Sequence, residues 1–157
     1  MGSNMSTFPE RRSVFPSPMS PKANDMISTF KEKKVEQQTT VSPKASRVIA
    51  FHSSARWRAY FESSKQTNKL IVLDFTATWC GPCRYMDPTI TEFADKYTDV
   101  DFVKIDVDEL MDVAREFGVQ VMPTFLLMKN GREVDKVVGA KKKDLRCKIE
   151  RHRVSHY

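Results

Sequence analysis

The sequence predicts an α/β fold: a central mixed β-sheet flanked by helices on both faces, preceded by a disordered N-terminal tail. From residue 47 onward, short apolar runs typical of strands alternate with stretches whose apolar residues recur at helical spacing. One run, Leu70 to Thr76, is apolar almost throughout, which is typical of a central strand buried on both faces. Asn130-Gly131 lies between two further runs and is a strong signal for a tight antiparallel hairpin.

The predicted tail covers residues 1 to 46, which are rich in Ser, Thr, Pro, Lys and Gln and contain few adjacent apolar residues. Such a segment cannot bury enough apolar surface to offset its loss of chain entropy, so we expect it to be disordered. The remaining residues, 47 to 157, are expected to form one folded domain, because 157 residues with 40% hydrophobic content allow a single core.

The first half of the domain is predicted to contain two strands and two helices. Val48 to Phe51 is a short strand, and Ser53 or Ser54 can cap the helix after it. That helix has a face of three aromatic residues: Trp57, Tyr60 and Phe61. After the central strand, a second helix begins at about Pro82, and Pro88 inside it predicts a kink. One side of the second helix carries four apolar residues: Met86, Ile90, Phe93 and Tyr97.

The second half begins with a strand from Val100 to Asp106. Asp108 can cap the next helix, and Gly118 stands where a left-handed C-terminal cap belongs. This helix has apolar residues at i, i+3, i+4 and i+7: Leu110, Val113, Ala114 and Phe117. The last elements are two hairpin strands, Thr124 to Lys129 and Arg132 to Val138, and a helix from Lys141 to about Arg153 with Leu145 and Ile149 facing inward. Strands joined through a helix are expected to be parallel, and the hairpin adds an antiparallel edge.

Composition excludes several classes of function. Three cysteines are too few for a disulfide scaffold, so a reducing compartment is expected. No apolar run reaches the roughly 18 residues of a membrane-spanning helix, and the N-terminus lacks the apolar core of a secretory signal. The net charge of +6 divides into +3 for residues 1 to 46, −2 for the middle and +5 for residues 141 to 157. Because aromatic residues are not interleaved with the basic ends, we expect no nucleic-acid partner.

Cys80 and Cys83 follow the central strand closely and admit three interpretations. A zinc site would need Cys147 and His152 as further ligands, but a zinc-binding cysteine pair normally lies in a knuckle and not where a buried strand meets a helix. An inert disulfide would stabilise little, because the loop that it closes holds only two residues. We favour a redox-active pair and expect no bound metal.

Each residue of this stretch suits a redox role. At the start of a helix, an exposed Cys80 sulfur would lie near unpaired backbone N–H groups and the positive end of the helix dipole, which stabilise a nucleophilic thiolate. Gly81 allows a partner's backbone to approach closely, and Pro82 suits the first helical turn because it has no N–H to leave unpaired. Cys83, further along the helix, can attack the mixed disulfide and release the product.

The segment Trp79-Cys80-Gly81-Pro82-Cys83 resembles the active-site signature of thioredoxins, and the similarity covers essentially residues 47 to 153. Three stretches are most similar to the h-type thioredoxins of plants: residues 76 to 84, 101 to 110 and 122 to 125. The resemblance implies the thioredoxin fold and a protein-disulfide reductase that supplies electrons to target proteins. It also implies that these electrons come from NADPH through a thioredoxin reductase, or from glutathione with glutaredoxin, and that the domain binds no cofactor.

The resemblance implies roles for further residues. Asp74 is similar to the family's buried aspartate, which is thought to move the proton of the resolving cysteine, and a buried carboxyl group has the raised pKa that this task needs. Lys104 resembles the lysine that partners this aspartate from the adjacent strand. The alternatives are an aspartate that merely finds a hydrogen bond and an exposed strand lysine. Pro123 resembles a cis-proline that faces the cysteines. The resemblance also implies an apolar docking surface that includes Trp79, Gly81, Pro82, Met122, Pro123 and Gly139.

Three questions stay open at this level. The rival function is a non-catalytic peptide-binding or chaperone module that uses the surface around Trp79 and Pro123. Gly2 fits the M-G-x-x-x-[ST] pattern for myristoylation, so we expect a cytoplasmic protein with at most weak, reversible membrane association. The alternatives are that the tail is an organelle transit peptide or a plain disordered extension. Cys147, on the outer side of the last helix, can be glutathionylated, link two chains or remain an idle thiol.

Overall fold

The computed structural model describes Gly2 and residues 45 to 153. These residues form strands and helices in the predicted order. In chain order, the elements are β1 (Val48–Phe51), α1 (Ser54–Ser64), β2 (Leu70–Thr76), α2 (Gly81–Lys96), β3 (Val100–Asp106), α3 (Met111–Glu116), β4 (Thr124–Lys129), β5 (Arg132–Val138) and α4 (Lys142–His152). The disordered tail and the domain boundary after residue 46 stay predictions, because residues 1 and 3 to 44 lie outside the described part. Within that part, none of the helices is long and apolar enough to cross a membrane.

The strands form one mixed sheet in the order β1-β3-β2-β4-β5. β3 runs parallel to β1 and β2, as predicted for strands joined through helices. The same prediction is wrong for β4, which runs antiparallel to β2 although α3 lies between β3 and β4. With six residues, α3 rises only about 9 Å, well short of the length of the seven-residue β3, and it does not return the chain to the end of the sheet where β3 begins. β4 therefore begins at the end of the sheet where β2 ends, and Thr124 pairs with Phe75.

The turn signals are confirmed, whereas the predicted cap of α1 is not. β4 and β5 pair antiparallel, and Asn130 and Gly131 adopt the φ angles of 51° and 73° that a two-residue hairpin loop needs. Gly118 follows α3 with the left-handed φ of 63° expected of a C-terminal cap. Ser53 occupies the N-cap position of α1 but makes no capping hydrogen bond, and the hydroxyl of Ser54 donates to a carboxylate of α3 instead.

Helices cover both faces of the sheet, as predicted. On one face, α2 and α4 pack against β2, β3 and β4 through the core residues Met86, Ile90, Phe93, Leu145 and Ile149. On the other face, α1 and α3 contribute Trp57, Val113 and Ala114 to a second core. Because side chains alternate along a strand, Asp74 points to the same face as Val72, which is the face that α2 covers. The position of Asp74 in β2 thus places its carboxyl group under the helix that carries the cysteine pair.

Candidate active site

The two cysteines of the predicted pair meet where β2 leads into α2. Cys80 occupies the N-cap position of α2, and a disulfide joins it to Cys83 across a Cα–Cα separation of 5.3 Å. The backbone N–H of Cys83 donates to Cys80 Sγ at 3.3 Å. The pair is therefore oxidised, and the N-terminus of α2 points at the sulfur of Cys80. This arrangement favours a thiolate at that position once the bond is reduced.

The sulfur of Cys80 is less exposed than the sequence predicts. In the disulfide form, Cys80 keeps only 5% of its accessible surface, because it is bonded to the next turn of the helix and packs with Ala77 and Met122. Gly81 and Pro82, by contrast, are exposed, and a Cβ added to Gly81 would meet no atom within 4 Å. The space at Gly81 is compatible with the close approach of a partner's backbone that the sequence predicts.

An exposed tryptophan lies beside the disulfide. Trp79 is 64% exposed, and its indole Nε1 donates to the carboxylate of Asp108 at 2.8 Å. The prediction that Asp108 caps α3 is wrong, because this carboxylate binds the indole and the N-cap position belongs to Leu110. The backbone N–H of Asp108 donates to Asp106 Oδ1 at 2.9 Å, which fixes the loop after β3. The loop after β3 thus fixes the orientation of the exposed indole, a contact that could not be predicted from the sequence.

The loop before β4 and the bend after β5 lie next to each other. The Met122–Pro123 peptide bond is cis, as the family resemblance implies. Gly139 has a φ of 89°, and its N–H donates to the carbonyl oxygen of Pro123 at 2.8 Å. This hydrogen bond joins two segments of the predicted docking surface, and Met122 connects them to the cysteines. Val121 is 54% exposed and adds an apolar side chain that the sequence-based prediction omits.

Asp74 is buried in β2 with 4% of its surface accessible. Burial raises the pKa of Asp74 to about 7, even though the charge of Lys104 lowers it, and the charge of Asp87 raises it further. Near neutral pH, this carboxyl group is therefore poised between its protonated and ionised forms, as a group that accepts and returns a proton must be. Asp74 lines a cleft of about 400 Å³ together with Lys104 and Asp87, which is wide enough to admit water.

Lys104 lies where the sequence predicts but makes a different hydrogen bond. It is the direct neighbour of Asp74 in the parallel register of β2 and β3. Its ammonium nevertheless donates to Asp87 Oδ1 at 2.7 Å, and it acts on Asp74 as a nearby charge. The sequence-based prediction omits Asp87, although its position four residues after Cys83 puts it on the same side of α2 as that cysteine.

The residues of the zinc alternative are not gathered at one site. Cys80 and Cys83 are bonded to each other, and Cys147 is a free, exposed thiol on α4, as predicted from its position on the helix. His152 Nε2 is hydrogen-bonded to Asp135 at 2.9 Å. Over residues 45 to 153, no cluster of three or more His, Cys, Asp or Glu side chains could hold a metal ion.

Comparisons with known proteins agree with this geometry. A family model described as thioredoxin matches residues 48–151. Thioredoxin H2 of Arabidopsis thaliana is 56% identical over 101 residues, which cover 64% of this chain and 76% of that protein. The crystal structure of the thioredoxin NaTrxh from Nicotiana alata is 69% identical with a TM-score of 0.70, and the match covers 72% of this chain and 98% of that one. The poplar thioredoxin h PtTrxh4 is 34% identical with a TM-score of 0.64, covering 67% of this chain and 95% of that one.

Proposed function

The chain belongs to the thioredoxin family of thiol–disulfide oxidoreductases, and from this premise we propose that it reduces protein disulfides with Cys80 as nucleophile and Cys83 as resolving thiol. The matches to plant h-type thioredoxins confirm the family and the fold predicted from the sequence. The observation that carries the proposed mechanism is the disulfide between Cys80 and Cys83 at the N-terminus of α2. Because it closes a loop of only two intervening residues, this disulfide stabilises the fold little and is better suited to exchange.

The reaction starts from the reduced protein. The thiolate of Cys80 attacks one sulfur of a target disulfide, and the target's other sulfur leaves as a thiolate that takes up a proton. Cys83 then gives up its thiol proton, and its sulfur attacks Cys80 Sγ and releases the first target sulfur. The target gains two electrons, which the two cysteines lose as they form the intramolecular disulfide. Of the two protons that the reduced target takes up, one balances the proton given up by Cys83 and the other balances the proton that Cys80 lost to water when it ionised.

Asp74 is the group that we assign to the proton of Cys83. Three observations support this role: the carboxyl group is buried, it lies on the face of β2 that α2 covers, and burial raises its pKa to about 7. A base with this pKa can take a thiol proton during the second step and release it to water through the cleft that it lines. Lys104 stabilises the ionised form through its charge.

Target segments are proposed to dock on the surface next to the disulfide. Trp79 and Val121 expose apolar side chains there, and Gly81 leaves room for a partner's backbone. Exposed aromatic and aliphatic groups beside an otherwise polar surface are typical of protein-binding sites. Binding at this surface would hold the target disulfide close to Cys80 and so favour the first exchange step.

Reduction of insulin disulfides by dithiothreitol tests the proposed function. We expect wild-type protein to accelerate the reduction and the Cys80→Ser variant to add nothing over dithiothreitol alone. The matched control is Cys147→Ser, which removes the same atom from an exposed position and should be as active as wild type. If Cys80→Ser were as fast as wild type, the reductase mechanism would be wrong. The alternative function, a non-catalytic peptide-binding module, would then be favoured, and peptide binding by Cys80→Ser would support it.

The electron donor and the targets are also proposed. We expect a thioredoxin reductase to reduce the oxidised protein with electrons from NADPH, and the alternative donor is glutathione with glutaredoxin. Following NADPH absorbance in each reconstituted system compares the two, and failure of both would contradict the proposal. The Cys83→Ser variant should hold target proteins on Cys80 as mixed disulfides, because the second step is blocked.

A cytoplasmic location with reversible membrane association remains a proposal based on Gly2. Gly2 is exposed, and one myristoyl chain gives only marginal membrane binding. Co-expression with an N-myristoyltransferase should add one myristoyl group to the N-terminal peptide of the wild type and none to the Gly2→Ala variant, as measured by mass spectrometry. An unmodified wild-type peptide would contradict lipidation and favour the transit-peptide alternative.

A further inference from the structure

Three charged side chains from three elements meet at one cleft beneath α2. Asp74 belongs to β2, Lys104 to β3 and Asp87 to α2, and all three line the same space of about 400 Å³. Lys104 is opposite Asp74 in the strand register, yet its Nζ donates to Asp87 Oδ1 at 2.7 Å. Two carboxylates therefore face one ammonium group, and the more exposed carboxylate holds it.

Burial explains why the hydrogen bond goes to Asp87. The side chains of Lys104 and Asp87 keep 37% and 40% of their accessible surface, so both ions stay in contact with water. Asp74 is buried, and an ammonium drawn down to it would lose hydration, which is unfavourable. Lys104 can instead bury its apolar stem and keep its charged end at the surface.

The Lys104–Asp87 ion pair lies where two clefts adjoin. A second cleft, of about 250 Å³, is also lined by Lys104 and Asp87 and reaches Ala77, which packs against both cysteines. Asp74 lines the first cleft only. The ion pair thus borders both the cleft that Asp74 lines and the cleft that reaches Ala77, the residue packed against the disulfide.

The charged groups around Asp74 can be named element by element. β3 contributes Lys104 and α2 contributes Asp87, while β1 lines the cleft with the uncharged residues Val48 and Ala50. Two further ions, Arg84 and Asp106, line the second cleft. Burial is the largest cause of the raised pKa of Asp74, and the charges of Lys104 and Asp87 act in opposite directions on it.

We propose that Asp87 is a positioning residue, whose carboxylate holds the ammonium of Lys104 at the mouth of the cleft and so prevents it from fixing Asp74 as an anion. The inference rests on the proposed function, because it concerns the group that takes the proton of Cys83. Without Asp87, only the loss of hydration would oppose the approach of Lys104 to an ionised Asp74, which would also lose the repulsion of a neighbouring carboxylate. Both changes favour the ionised form of Asp74.

The test is an NMR titration of the Asp74 carboxyl carbon in the full-length oxidised protein, in which neither Cys80 nor Cys83 titrates. In Asp87→Asn, the pKa of Asp74 should fall by roughly 1 pH unit relative to wild type, the size of effect expected when an opposite charge moves close. Asp87→Glu should restore the wild-type value, because it can still bind Lys104. The matched control is Glu92→Gln, which removes the same charge from α2 but breaks an ion pair with Lys142 instead.

A double-variant comparison separates positioning from direct repulsion. If Asp87 acts through Lys104, adding Asp87→Asn to a Lys104→Gln background should shift the pKa of Asp74 much less than it does in wild type. An equal shift in both backgrounds would overturn the inference, as would an Asp87→Asn titration that matches Glu92→Gln. Either result would leave the proposed function intact, since that function is tested separately by the loss of reductase activity in Cys80→Ser. Should Asp87→Asn not fold, Asp87→Ser takes its place in both backgrounds, with the same expected result and the same contradicting results.

Discussion

Two aspartates of the same sheet, one in a central strand and one in an edge strand, have pKa values that are shifted in opposite directions. In β2, burial raises the pKa of Asp74 to about 7. In β5, partial burial acts the same way on Asp135, but hydrogen bonds from Lys148 and His152 outweigh it and bring the pKa of Asp135 to about 2. The sign of the shift therefore does not follow from burial alone.

The two carboxyl groups differ first in burial, which is the largest cause of the raised pKa of Asp74, and then in where the neighbouring cations are bound. Around Asp135, Lys148, His152 and Arg151 converge from α4 at 3.0, 2.9 and 3.8 Å. The cation beside Asp74 is Lys104, and Asp87 binds it. Asp135, which forms ion pairs with several cations, is therefore held as an anion and links β5 to α4. Asp74 is buried and its neighbouring cation is bound by Asp87, so its pKa stays near neutral pH, which suits proton transfer.

The largest expected effect is on stability when Asp74 is replaced by Asn. Folding raises the pKa of Asp74 from its ordinary value to about 7. The contribution of its protonation to the free energy of unfolding is therefore fully present below about pH 4 and is lost as the pH rises through 7. Asn does not titrate, so Asp74→Asn should be more stable than wild type by roughly 4 kcal/mol at about pH 8. Urea unfolding at about pH 4 should give a much smaller difference. Equal stabilities at both pH values would show that Asp74 titrates normally.

The opposite sign is expected for Asp135. Folding lowers the pKa of Asp135 to about 2, so its contribution is present above the ordinary aspartate pKa and is lost as the pH falls through 2. Asp135→Asn should therefore be less stable by roughly 1 to 2 kcal/mol at neutral pH, after allowance for the 19% exposure of the side chain. The difference from wild type should vanish at about pH 2. A neutral-pH stability equal to that of wild type would show that the edge cluster, which consists of Asp135, Lys148, Arg151 and His152, does not stabilise ionised Asp135.

A smaller effect is expected when one cation of the edge cluster is removed. Lys148 bonds to both Asp135 and the carbonyl oxygen of Lys136, so Lys148→Met should cost roughly 1 kcal/mol at neutral pH and raise the pKa of Asp135. The matched control is Lys143→Met, an exposed position on the same helix, which should leave the pKa of Asp135 unchanged. Carboxyl NMR titration measures both. If both variants shifted the pKa of Asp135 equally, the net charge of the protein rather than the direct contact with Lys148 would control that pKa.

The smallest effect is expected at Cys147, which lies on the helix that supplies the edge cations but is exposed. Cys147→Ser should change the free energy of unfolding by no more than about 0.5 kcal/mol. A large loss of stability, measured by urea unfolding under reducing conditions, would show that this thiol is part of the packing between α4 and the sheet.

Much of the fold and part of the site can be predicted from the sequence. The element order and the core positions follow from local apolar spacing, as on α2, and Cys80, Cys83 and Pro123 are recognised from short motifs. The direction of β4 depends on the short length of α3, which apolar spacing does not define to the residue. Asp87 and Asp108 were not predicted as site residues because their partners, Lys104 and Trp79, lie 17 and 29 positions away along the chain. Such bonds exist only after β3 has been placed between the other elements.

The most direct test of the account is the single-turnover rate at which the reduced protein reduces a target disulfide, measured for wild type and Asp74→Asn from about pH 5 to about pH 9. Taking the ratio of the two rates removes the titration of Cys80, which both proteins share. We predict that wild type is faster by roughly 10²-fold near neutral pH, a typical contribution of a positioned general base. The ratio should shrink at low pH, where Asp74 is itself protonated. A ratio of about one across the whole range would contradict the assignment of Asp74 as the proton acceptor for Cys83.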